Sequence, residues 1–131
     1  MTEIEVPQPN IPLLRKAVEW AEAEAAKTDG TGLWNQTEWA ATYEDECGTS
    51  FCIAGYAVMN GVPEATLAPP DPEWQSRGLL IAGFRADWAE AGQRVLGLTY
   101  EERYALFGDT NEIADVRRIA EQIAVRAGER L

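Results

Sequence analysis

The chain of 131 residues contains no histidine and only two cysteines. Histidine is the commonest general base and a frequent metal ligand, so its absence removes the usual side chain for acid–base and metal chemistry. No window approaches the roughly 18 uninterrupted apolar residues that a membrane span requires. Residues 1–5 include two glutamates and lack the apolar core of a secretory signal. We therefore expect no membrane partner, no metal and no cofactor.

Basic side chains are also scarce, since 11 lysines and arginines face 22 acidic residues and the formal charge is −11. Between Lys27 and Arg77 there are eight acids and no base. This balance disfavours direct nucleic-acid binding, because phosphate would be repelled overall. It is typical of a domain whose charge serves solubility through self-repulsion. The sharper interpretation is a negatively charged surface, formed around residues 34–46 and 64–74, that docks onto a basic protein. We call this region the acidic surface.

Within the acidic surface, Trp74 follows an acidic, proline-rich segment and is either an exposed anchor for a partner or a core side chain. The predicted partner-binding residues are Glu44, Asp45, Glu46, Asp71, Glu73 and Trp74.

The composition, 46% hydrophobic and 25% charged, is that of one globular domain. Asn10 predicts the start of a helix over residues 11–27, residues 87–96 are predicted to form a helix that ends at Gly97, and Thr99 with Glu102 forms the capping-box pattern of a short helix. Thr49 or Ser50 is the predicted cap of a helix over residues 51–59, with Cys52 in its first turns. The four prolines of residues 62–73 predict a long surface loop. We expect an all-α fold: residues 1–9 form an extended leader, and residues 10–131 form a single compact domain of four or five helices, with or without a minor short β element.

The C-terminal segment carries the strongest amphipathic stripe, with apolar residues at three- and four-residue spacing. Such a stripe predicts a helix that packs on the core or forms a homodimer. The stripe consists of Ile113, Val116, Ala120, Ile123 and Ala127.

The segment from Cys47 to Ala57 admits three interpretations, which are metal binding, redox chemistry and packing. A closed zinc site needs four ligands, and two sulfurs without imidazole leave only nearby carboxylates to complete it. For redox work, the start of a helix would favour a Cys52 thiolate, whereas the carboxylates before Cys47 and burial would disfavour it. Packing is the favoured interpretation, because Cys52 is small and Gly55 indicates another helix pressed against its backbone. The predicted structural motif is Cys47, Gly48, Thr49, Cys52 and Gly55.

The same motif carries a resemblance. The runs Cys47-Gly48-Thr49 and Cys52-Ile53-Ala54-Gly55 resemble the signature of a family of small uncharacterised proteins of actinobacteriophages and some bacteria. The resemblance covers roughly residues 34–107, and it extends upstream to Trp34, Gln36 and Trp39 and downstream to Leu96-Gly97-Leu98 and Leu106-Phe107. It implies a phage source and a cytoplasmic location, but no mechanism.

These features together predict a non-catalytic, phage-encoded protein of the host cytoplasm that binds a host or phage protein through the acidic surface. Two alternatives stay open. One is a thiol-redox or metal-dependent protein centred on Cys47 and Cys52. The other is an acidic mimic of nucleic acid that occupies the basic groove of a DNA-binding protein.

Overall fold

A computed structural model of the chain describes residues 6–29, 31–37, 39–42, 49–69 and 76–131. Within these residues the chain forms five helices and five strands of three residues each. The expectation of an all-α fold is therefore wrong, and the fold is mixed α/β. In chain order the elements are α1 (Ile11–Ala25), β1 (Ala40–Thr42), β2 (Thr49–Phe51), α2 (Ile53–Gly61), β3 (Ala65–Leu67), β4 (Leu79–Ile81), β5 (Phe84–Ala86), α3 (Trp88–Leu96), α4 (Tyr100–Leu106) and α5 (Ile113–Arg126).

The strands form two antiparallel sheets. Strands β1 and β2 make a pair, and β3, β4 and β5 make a three-stranded sheet in that order. A two-residue turn joins β4 to β5, and both of its residues have positive φ, 52° at Ala82 and 86° at Gly83. This is the backbone of the tight turns that match the twist of antiparallel strands. The predicted loop over residues 62–73 is corrected in part, because β3 lies inside it and pairs with β4.

The helices begin at residues whose side chains cap their backbone N–H groups. The Asn10 side chain accepts from Leu13 N, that of Asp87 from Ala89 N, and Thr99 and Glu102 form the capping box of α4. Local sequence signals of this kind place α1, α3 and α4 close to their predicted positions.

The main hydrophobic core lies where α1, α2 and α5 meet, and it includes the fully buried Leu14, Ile53 and Ile123. A second cluster, around Val58, Leu79 and Trp88, joins α2 and α3 to the three-stranded sheet. Four residues of the apolar stripe of α5 pack in or against the first cluster, namely Ile113, Val116, Ala120 and Ile123. A homodimer through this helix stays a prediction.

The longest helix in the described part of the chain has 15 residues. None of the helices there combines the length and the hydropathy needed to traverse a bilayer.

Candidate functional site

The predicted partner-binding residues lie in two segments, 43–48 and 70–75, that fall outside the described residues. Cys47 and Gly48 of the structural motif lie outside them as well. The predicted partner-binding residues in these two segments are Glu44, Asp45, Glu46, Asp71, Glu73 and Trp74. The described residues on either side of each segment show where it joins the fold.

Described residues that flank the two acidic segments lie together at β1. Thr42, the last residue of β1, pairs with Thr49, so these two residues flank the first segment. On the other side of β1, Ala41 forms an antiparallel bridge with Ser76, and Arg77 N donates to Ala40 O at 2.8 Å. Because the bridge is antiparallel, the chain from Ser76 to Arg77 runs in the direction opposite to β1.

The segment before β1 is held against β2. Trp34 forms a parallel bridge with Phe51, Asn35 N donates to Phe51 O at 2.9 Å, and Phe51 N donates to Leu33 O at 2.9 Å. The β1–β2 pair is thus flanked by extended backbone on both sides.

Gln36 fixes the segment before β1 to the helices. Its structural role was not predicted from the sequence. Its side chain is buried at 6% exposure. The Oε1 atom accepts from Trp34 Nε1 at 3.2 Å and Ile53 N at 3.4 Å, while Nε2 donates to Leu106 O at 2.9 Å and Gly108 O at 3.2 Å. Four hydrogen bonds satisfy the buried amide and tie residues 34–36 to the start of α2 and the end of α4.

Cys52 lies at the entrance of α2. The sequence predicted it inside the first turns, with Thr49 or Ser50 as the cap, but helix α2 begins at Ile53 and Cys52 is its N-cap. Its Sγ accepts from Gly55 N at 3.5 Å, and the residue is 1% exposed. These contacts give Cys52 a capping and packing role.

Gly55 makes the close approach that the sequence indicates, but its neighbour is not a helix. A Cβ atom at this position would overlap the carbonyl oxygen of Trp39 and lie 3.0 Å from Phe51 Cδ1. The chain leading into β1 therefore crosses directly over α2.

A pocket of about 420 Å³ opens beside this crossing. We call it the Trp39 pocket. Trp39 and Phe107 meet edge to face, with ring centroids 6.1 Å apart, and Trp39 remains 38% exposed. The lining includes Gln36, Trp39, Cys52, Arg103, Tyr104 and Phe107.

Arg103 brings positive charge to the Trp39 pocket. Its Nη1 donates to Gln93 Oε1 at 3.0 Å, and its guanidinium lies 4.8 Å from the ring centroid of Tyr100 and 5.7 Å from that of Tyr104. A hydrogen bond with Tyr100 raises the pKa of Tyr104. The arrangement can bind an anionic group beside aromatic rings.

The described residues contain no cluster of three side chains suited to hold a metal ion. Comparison of the chain with protein-family models, with curated proteins and with solved structures finds no match.

Proposed function

We propose that this chain is a non-catalytic, phage-encoded protein of the host cytoplasm that binds a basic host or phage protein through the acidic surface. The carrying observation is that described residues flanking the two acidic segments lie together at β1, Thr42 and Thr49 for the first segment and Ser76 for the second. Ala41 and Ser76 thereby lie side by side although 35 positions separate them in the sequence.

The charge distribution supports this proposal. The stretch from Lys27 to Arg77 holds eight acids and no internal base, and the whole chain carries −11. A single-sign field of this kind steers a partner of opposite charge and repels partners of like charge. The resemblance to actinobacteriophage proteins adds the expectation of a host or phage protein as the partner.

An exposed aromatic side chain within the acidic surface supports it further. Trp39 directly precedes β1 and is 38% exposed. Tryptophan is over-represented among residues that dominate binding energy, because its ring buries a large area. Charge would guide the encounter, and the ring would contribute short-range affinity.

The test is capture of partners from host lysate by a variant that carries Glu44→Lys, Asp45→Lys and Glu46→Lys. We expect this variant to fold and to lose the partner that the wild type captures. The matched control carries Glu19→Lys, Glu101→Lys and Glu129→Lys, three exposed positions on or beyond the helices, and thus the same net charge. Retention by the control and loss by the first variant would support the acidic surface.

If both variants capture the partner equally well, the acidic surface is not the binding site. If both lose the partner equally, the net charge of the chain explains binding, and the position of the charges does not. Competition adds a second readout. Release of the captured protein by duplex DNA would identify it as a nucleic-acid-binding protein and favour the mimic hypothesis over a general protein-binding role.

A further inference from the structure

We propose that the Trp39 pocket binds a small organic carboxylate with a flat apolar body. Arg103 would bind the carboxylate group, and the rings of Trp39, Tyr104 and Phe107 would contact the apolar body of the ligand. This ligand is distinct from the basic protein proposed above, and the pocket can be tested without that partner.

The size of the pocket fits such a ligand. Its volume of about 420 Å³ lies within the range of roughly 300–1,000 Å³ common for small-molecule sites. Its lining also follows the usual pattern of apolar and aromatic walls with a few converging polar groups.

The aromatic wall is held in place before any ligand arrives. Gly92 on α3 allows Phe107 to pack close, since a Cβ there would lie 3.0 Å from Phe107 Cζ. The Trp39 carbonyl is seated on Gly55, and its ring meets Phe107 edge to face at 89°. Rings that are ordered in advance lose little conformational entropy when they bind.

The guanidinium of Arg103 is oriented, and none of the ion pairs of the described residues includes it. Asp109 lines the same pocket and partly offsets its charge. The hydrogen bond to Gln93 and the two tyrosine rings position the group while leaving further N–H donors for a ligand. A carboxylate is the anion that matches the planar fork of such a guanidinium.

The remaining charges restrict the ligand to a low negative charge. Asp109 also lines the pocket, is exposed, and would repel a second anionic group. The chain as a whole carries −11, which disfavours polyanions such as nucleotides. The geometry therefore favours a monocarboxylate over a phosphate-rich compound.

The experiment titrates the full chain with 3-phenylpropionate and indole-3-acetate by calorimetry and by NMR. Acetate is the control that has the carboxylate charge but no aromatic ring, and 3-phenylpropanamide is the control that has the aromatic ring but no charge. We expect saturable binding of at least one aromatic carboxylate, binding of 3-phenylpropanamide at least about tenfold weaker than that of 3-phenylpropionate, and no saturable binding of acetate. The indole N–H resonance of Trp39 should shift, whereas that of Trp88, which donates to Arg77 O at 3.1 Å, should not.

The variant Arg103→Gln should weaken carboxylate binding by about tenfold or more, because it removes a charge-assisted hydrogen bond. The matched control is Arg94→Gln, whose side chain is 80% exposed and pairs with Glu90, and it should bind like the wild type. If Arg103→Gln fails to fold, the Trp39 resonance and the amide comparison still decide the question. Absence of saturable binding of both aromatic carboxylates to the wild type, equal affinity for acid and amide, or an unchanged Trp39 resonance would overturn the proposal.

Discussion

At the scale of single residues, the contact between Gly55 and Trp39 determines how the β1–β2 pair sits on α2. The backbone of Trp39 passes so close to α2 that position 55 has no room for a side chain. Glycine in a helix interior costs about 1 kcal/mol relative to alanine. Here the close crossing offsets that cost, since it buries Ala40 in the cluster that contains Val58 of α2 and Trp88 of α3.

Replacement of Gly55 by alanine should therefore destabilise the protein despite the better helix propensity of alanine. Because the added methyl group overlaps a backbone carbonyl, we expect the free energy of unfolding to fall by about 1–3 kcal/mol. Urea denaturation measures this change. The control is Gly78→Ala, where the new Cβ would lie 3.5 Å from Ala68 Cβ, an ordinary contact. An equally stable Gly55→Ala variant would show that the crossing adjusts without cost.

Gln36 illustrates why the sequence did not reveal every residue that forms the site. A glutamine in a polar stretch has no local pattern that predicts burial. Its partners Leu106 and Gly108 are 70 and 72 positions away. Arg103 is likewise one of several arginines on C-terminal helices, and only the fold places it in the Trp39 pocket. Residues whose role depends on distant partners carry little signal in a single sequence.

At the scale of elements, the helices were predictable and the strands were not. Asn10, Asp87 and Thr99 are capping residues that act within three positions, so the sequence alone locates α1, α3 and α4. The strands are three residues long, too short for an alternating pattern to emerge. Strand β3 forms in a proline-rich stretch because it pairs with β4, with Thr66 opposite Leu80, 14 positions further along the chain.

One contact between elements joins α4, α5 and the N-terminal segment. Arg126 on α5 donates from Nε and Nη2 to the Glu102 carboxylate at 2.7 and 2.8 Å, and from Nη1 to Pro7 O at 2.8 Å. The same arginine donates to Gly97 O at 3.2 Å. Burial alone would raise the pKa of Glu102, but the hydrogen bonds from Arg126 and from the Thr99 backbone hold it below its ordinary value of 4.5.

This contact predicts a pH-dependent part of the stability. Since the pKa of Glu102 is lower in the folded state, its contribution is present at pH 7 and is lost as the pH falls through the folded pKa, below 4.5. The variant Glu102→Gln should be about 1–2 kcal/mol less stable than the wild type at pH 7, because the charge-assisted bonds to Arg126 are lost. Urea unfolding at pH 7 and pH 3 measures the difference, which should shrink at pH 3.

The control for this prediction is Glu90→Gln, which removes an exposed pair with Arg94 on α3. Exposed pairs contribute little, so this variant should stay within about 0.5 kcal/mol of the wild type at neutral pH. A Glu102→Gln defect of the same size at both pH values would show that shape, and not charge, explains the loss.

At the scale of the whole molecule, most of the attractions between charges in the described residues are local, whereas the repulsion is global. Four of the ion pairs in the described residues join side chains three or four positions apart on one helix or at its end. Several of these side chains are largely exposed, including Arg94 at 80% and Arg118 at 60%. Exposed pairs of this kind contribute at most about 1 kcal/mol each. A formal charge of −11 acts across the entire chain and opposes compaction.

Salt should therefore stabilise this protein. Between 10 mM and 0.3 M NaCl, the Debye length falls from about 30 Å to well below 10 Å, so repulsion across the molecule is screened more than contact pairs are. We expect the melting temperature to rise by about 2–5 °C, which corresponds to roughly 1 kcal/mol for a chain of this size. Calorimetry or circular dichroism at pH 7 measures it, and glycerol at matched osmolality controls for solvent exclusion. The variant with Glu44→Lys, Asp45→Lys and Glu46→Lys lowers the charge to −5 and should respond less to salt. A melting temperature that falls with salt would mean that the ion pairs outweigh the repulsion, and the acidic surface would then have no excess field with which to steer a basic partner.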